Sequence, residues 1–129
     1  MTPSFVGESF RSWSLRYLKE AKVDFSLASE ASMVEIVKDL STIALRKAQL
    51  SIQYALGQPE YLDIAVSEYL VGEHHKDEPL VVLLARIRRL MQEISEPQSK
   101  LTKKTIIEKT SLVVDVASKL VREFLRNYR

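Results

Sequence analysis

Cysteine is absent from this 129-residue chain, which excludes disulfides, thiol chemistry and cysteine-ligated metal sites. A reducing compartment follows as the default, and the expected location is cytoplasmic. Glycine and proline are scarce, at 3 and 4 residues, so breaks are few and regular elements should be long. No apolar run approaches the ~20 residues needed to cross a bilayer, and "MTPSFVGESFRSW" lacks the apolar stretch of a signal peptide. There is no glycine-rich phosphate loop, no Gly-x-Ser-x-Gly elbow and no His-Glu-x-x-His. No cofactor and no metal are expected, and an enzyme is the less favoured reading.

The residues present are those of a folded domain. Apolar residues make up 46% and charged residues 28%, a globular balance rather than a disordered one. One domain suits this length. Net charge is only +2, but it is unevenly placed. Residues 60–78 balance at −5 and residues 97–129 at +5. The plain reading is solvated helix faces. The sharper one is a basic surface for RNA, DNA or an acidic partner. Aromatic residues do not alternate with the basic ones there, as a single-strand-binding surface would require.

Apolar spacing predicts five helices and no strands. The first spans about Glu8 to Glu30, with Phe10, Trp13, Tyr17, Leu18, Ala21, Phe25 and Ala28 on one face and Arg11, Arg16, Lys19, Glu20 and Lys22 mostly off it. The second spans about Ser32 to Leu56, with a stripe through Met33, Ile36, Val37, Leu40, Ala44, Ala48, Ile52 and Ala55. Gly57 fits the left-handed position after its end, and Pro59 blocks continuation. The third is short, ending near Val71. The fourth opens at Pro79 and runs to about Ile94. The last begins at Thr102 or Thr105, and Thr105-x-x-Glu108 has the form of a capping box. Its stripe runs through Ile106, Val113, Val116, Ala117, Leu120, Val121, Phe124 and Tyr128.

These elements predict an all-α, five-helix antiparallel up-and-down bundle, a single domain over residues 1–129 with its core at about 10–126. The wide stripes on the second and fifth helices offer more apolar area than a lone bundle needs, so a homodimer is expected.

His74 and His75, the two histidines of the chain, are adjacent in the polar segment from Gly72 to Glu78. Neighbouring loop residues point apart, so they rarely share a metal, and no cysteine completes a structural zinc site. They read first as loop residues and second as candidate catalytic groups. Arg86 and Arg89 share one side of the fourth helix while Arg88 points elsewhere. Together with Arg122 and Arg126 near the C-terminus, Arg86 and Arg89 are the candidate phosphate-binding residues. Arg46 and Lys47 interrupt an apolar helix and are expected to flank the core; if buried they would need a partner such as Asp39 or a carboxylate of another helix.

Several segments resemble a known family. "WSLRYLKEAKVDFSLA" looks like the opening helix of HEPN domains (higher eukaryotes and prokaryotes nucleotide-binding). "IALRKAQLSIQYALG" is similar to their alanine- and glutamine-rich second helix, "HHKDEPLVVLLARI" to the His-preceded Leu-rich helix, and "LTKKTIIEKTSLVVDVASKLVREFL" to the closing helix. Archaeal helical proteins related to that family share the layout. The resemblance covers about residues 10–126 and implies a HEPN-like bundle. Its functions would be a non-catalytic partner of a minimal nucleotidyltransferase, a nucleotide- or nucleic-acid-linked accessory protein, or a metal-independent ribonuclease. The ribonucleases of that family carry an Arg and a His separated by four to six residues. This chain departs from that pattern, because the nearest arginine before His74 and His75 is Arg46. The resemblance therefore assigns no catalytic residue, and the ribonuclease using His74 or His75 is the alternative to a binding module.

Overall fold

The computed structural model describes residues 2–72 and 78–126, with side chains from residue 9 onward. Five helices follow in order: α1 (Thr2–Glu30), α2 (Val34–Ala55), α3 (Pro59–Leu70), α4 (Pro79–Ser95) and α5 (Lys103–Arg126). Among the described residues there is no strand, and no helix is long and apolar enough to cross a membrane. The fold class is the one the spacing predicts.

Helix α2 is the centre, touching each of the other four. Small residues let α1 approach it closely: Ser14, Ala21 and Ala28 on α1, and Ala44, Ala48 and Ser51 on α2, are buried. Ser14 Oγ donates to the Ser51 carbonyl at 2.7 Å, and Ser51 Oγ donates to the Ala48 carbonyl at 2.7 Å. Pairing of Asp24 with Lys47 and of Phe10 with Tyr54 shows that α1 and α2 run antiparallel. Arg11 meeting the Leu125 carbonyl joins the early part of α1 to the end of α5. The core then fills with larger side chains, among them Leu45, Ile52, Leu84, Ile87, Ile94 and Ile106.

Helix ends follow local chemistry. Gly57 and Gly72 take φ of 75° and 82°, the left-handed residues after α2 and α3. Pro59 and Pro79 occupy first-turn positions of α3 and α4. Thr102, not the Thr105–Glu108 pair, caps α5: its Oγ1 accepts from the Thr105 N–H at 3.2 Å.

Three expectations need correction. Helix α1 begins at Thr2 rather than near Glu8, because one glycine inside a helix, Gly7, costs only about 1 kcal/mol and does not end it. Trp13 is 41% exposed, and Met33 and Ile36 on α2 are 60% and 44% exposed. They sit at the edge of their stripes, and the small-residue seam draws the two backbones too close to cover them. Val116 is exposed on α5 for a similar reason, since the buried line runs through Ile106, Thr110, Val114, Ala117, Val121 and Leu125. Tyr128 lies outside the described residues.

Candidate functional site

Two concave surfaces stand out. The first is a groove of about 370 Å³ between α1 and the C-terminal half of α5. Its floor is apolar, formed by Leu15, Leu18, Val121 and Leu125. Its walls are cationic: Arg11 and Lys22 from α1, Arg122 and Arg126 from α5. The placement follows from helix geometry. Arg122 and Arg126 are one turn apart and share a face, and that face sits just outside the buried pair Val121 and Leu125. Arg11 is fixed by donating from Nη1 to the Leu125 carbonyl at 3.3 Å. That bond also satisfies a carbonyl in the last turn of α5, where cations suit the helix dipole. Among the described residues no carboxylate lines this groove, and Lys22, Arg122 and Arg126 form no ion pair.

The second surface is a cleft of about 1080 Å³ where the C-terminal half of α2 faces the start of α3, with Phe10, Glu78 and Arg88 at its borders. Arg46, Gln49 and Gln53 of α2 line it at spacings of three and four, so they form one edge of the helix. Phe10 meets Tyr54 edge to face at 5.7 Å between ring centres, and Tyr17 follows at 5.5 Å from Tyr54. Trp13 lies 5.6 Å from Tyr17 and carries the Arg16 guanidinium 5.2 Å over its ring. Four aromatic rings thus run along the α1–α2 seam outward from the cleft.

The arginines of α4 are divided. Arg88 binds Asp63 of α3 at 2.8 Å and Ser67 at 3.1 Å, which ties α4 to α3 and consumes its charge. Arg89 lies 5.8 Å over the Tyr69 ring. Arg86 is exposed. The structure does not bring Arg86 and Arg89 to Arg122 and Arg126, because α4 packs on α2 and α3 while the groove lies between α1 and α5. His74 and His75 lie outside the described residues.

Lys47 has the carboxylate partners a half-buried charge needs, and they come from α1 rather than from Asp39. Its Nζ sits 2.9 Å from Asp24 and 3.1 Å from Glu20. The hydrogen bond it donates to Asp24 holds the Lys47 ammonium above its ordinary pKa against the opposing effect of burial, with Glu20 adding to the rise. Hydrogen bonds from Lys47 and then Arg16 hold the Glu20 carboxyl below its ordinary pKa. This cluster is a clamp on the α1–α2 seam and not a reactive centre. Among the described residues, no group of three or more His, Asp or Glu side chains is placed to hold a metal ion.

The spacing of Arg122 and Arg126 was legible. Arg11 and Lys22 were seen only as side chains off the core face, and nothing local announced that they would meet α5. Gln49 and Gln53 were missed as site residues. The one signal was two long polar residues a turn apart inside an apolar helix. No family model, no curated protein and no solved structure matches this chain.

Proposed function

We propose that this chain is a non-catalytic helical binding module whose α1/α5 groove takes a phosphate-bearing ligand, with nucleic acid as the first class to test. One observation carries the reading: four cationic side chains from two helices flank one groove that no described carboxylate lines. Guanidinium forks from Arg11, Arg122 and Arg126 suit phosphate oxygens, and the aliphatic stems of all four pack over an apolar floor. In this reading the HEPN-like helical layout belongs to an accessory protein, a partner of a minimal nucleotidyltransferase or of a nucleic acid. The molecule acts as a homodimer. Trp13 and Leu27 on α1 and Ile36 and Ile43 on α2 remain exposed and repeat at intervals that place each pair on one helix edge, an apolar surface a second copy would cover.

The test is fluorescence anisotropy of labelled single-stranded RNA and DNA at rising salt. If all four cations neutralise phosphates, log K should fall against log salt with a slope of about −3 on a single strand. Arg122→Ala with Arg126→Ala should roughly halve that slope. Binding that ignores salt, or is unchanged in the double variant, removes the groove from the account. Metal-free RNA cleavage lost in His74→Ala with His75→Ala would move the protein to the ribonuclease alternative.

A further inference from the structure

We infer that the α2/α3 cleft is a separate binding site for a small planar heteroaromatic molecule that carries one acidic group.

The inference starts from two glutamines. Gln49 is 5% exposed and Gln53 is 2% exposed, and both line the cleft. Long amides at this depth are ordinarily hydrogen-bonded throughout, because an unmatched polar group loses its water without replacement. Here they are not. Gln53 Nε2 donates to the Pro59 carbonyl at 2.8 Å, but its Oε1, itself fully buried, has no partner among the described residues. Gln49 forms no hydrogen bond among the described residues, and its amide atoms keep contact with the open space, unlike the sealed Gln53 Oε1. One edge of α2 therefore presents the Gln49 amide to an open space of about 1080 Å³, with the buried, unmatched Gln53 Oε1 one turn along.

The third residue on that edge is Arg46, one turn before Gln49. It is exposed at the rim and has no ion pair among the described residues. Arg88, at the opposite border, shows the contrast: its guanidinium is held by Asp63 and has no charge to spare. Arg46 is thus the free fork for an anionic group, and the glutamine amides offer both donor and acceptor capacity to a hydrogen-bonding edge. Phe10 and Tyr54 supply aromatic surface at the same cleft.

Taken together, these groups specify the ligand class. A flat ring packs against the aromatics, its polar edge meets the amides, and its acid meets Arg46. A carboxylate or a phosphate meets the last requirement equally, so the acid can be either. Recognition here rests on hydrogen bonds and one charge. Its salt dependence is therefore shallow, unlike that of the α1/α5 groove, and the two sites fail independently.

The experiment is isothermal titration with thermal-shift measurement on the whole chain. Four probes are used: guanosine 5′-monophosphate, uridine 5′-monophosphate, pterin-6-carboxylate and ribose 5-phosphate. At least one ring-bearing acid should bind and raise Tm, while ribose 5-phosphate, which has the acid but no ring, should not. A response confined to the nucleotides identifies the acid as phosphate, and one confined to the pterin identifies it as carboxylate. Gln49→Leu should weaken that binding at least tenfold while leaving the unliganded Tm nearly unchanged, because its amide makes no hydrogen bond among the described residues. Arg46→Met should weaken it similarly, and Arg122→Ala with Arg126→Ala should leave it unchanged. Three results overturn the inference: no ring-bearing probe binds at millimolar concentration, ribose 5-phosphate binds as well as they do, or Gln49→Leu binds like the parent. In any of these cases the amides face water only.

Discussion

The α1/α5 groove and the α2/α3 cleft differ in kind. The groove is rich in charge and poor in fixed hydrogen-bonding geometry, with long flexible cations over an apolar floor. The cleft is larger and nearly balanced in charge, and its wall carries amides and a ring from the central helix together with Phe10 of α1 and Tyr61 of α3. Charge on long side chains acts at a distance and is screened by salt. Amides act only at contact and discriminate by shape and edge. Under the proposed readings, one surface of the bundle takes polyanions in general and the other one compact molecule.

The most severe perturbation should erase the difference. Leu84 is fully buried, and Leu84→Ala should cost about 2–5 kcal/mol. It should lower Tm and weaken both surfaces together, as read by thermal denaturation and both binding assays. Next comes the groove alone. Arg122→Ala with Arg126→Ala should reduce nucleic-acid affinity tenfold or more at low salt, with Tm nearly unchanged. A smaller effect of opposite sign is expected at Thr110, whose hydroxyl is buried without a partner in α5. Thr110→Val keeps the shape and removes the unmatched group, so it should stabilise by about 1 kcal/mol in urea denaturation and leave both surfaces intact.

Arg88→Ala sharpens the comparison from the cleft side. It removes the 2.8 Å contact to Asp63, and because Asp63 is well exposed the loss should stay below about 1 kcal/mol. Hydrogen exchange should nevertheless quicken in α3, with no change at α5. The smallest effect is acid sensitivity of the α1–α2 clamp. The Glu20 carboxyl is held below its ordinary pKa, so its contribution is present above the ordinary carboxylate range and fades as pH falls through its lowered value. Glu20→Gln should flatten that part of the stability curve slightly and leave both surfaces untouched.

Much of the fold was legible because periodicity, glycine and proline act locally. Gly57, Pro59 and Pro79 each do what their backbone chemistry requires wherever they stand. Trp13 and Ile36 were misplaced for a different reason. Their spacing fits a core face, but the small residues Ser14, Ala21, Ala44 and Ala48 set how near the helices come, and that is a property of the pair. The burial of Gln49, Gln53 and Ser41 was not legible, because polar residues read as solvent-facing until the number of surrounding helices is known. Helix α2 has four neighbours, and so Ser41, Gln49 and Gln53 go inside while Glu35, Asp39 and Arg46 stay out. Arg122 and Arg126 announced themselves by their one-turn spacing. Their counterparts Arg11 and Lys22 could be found only once the chain had folded.

The bond from Arg11 to the Leu125 carbonyl joins positions 114 residues apart. The groove is therefore a seam between the two ends of the helical order, and its walls exist only after the largest loop in the molecule has closed. Contacts of such long sequence separation form late when a chain folds. A polyanion lying across that seam would act as a reversible cross-link, holding the last helix against the first. It would favour the completed molecule over any form in which α5 has come away, so a grip on such a ligand would double as a check that folding has finished.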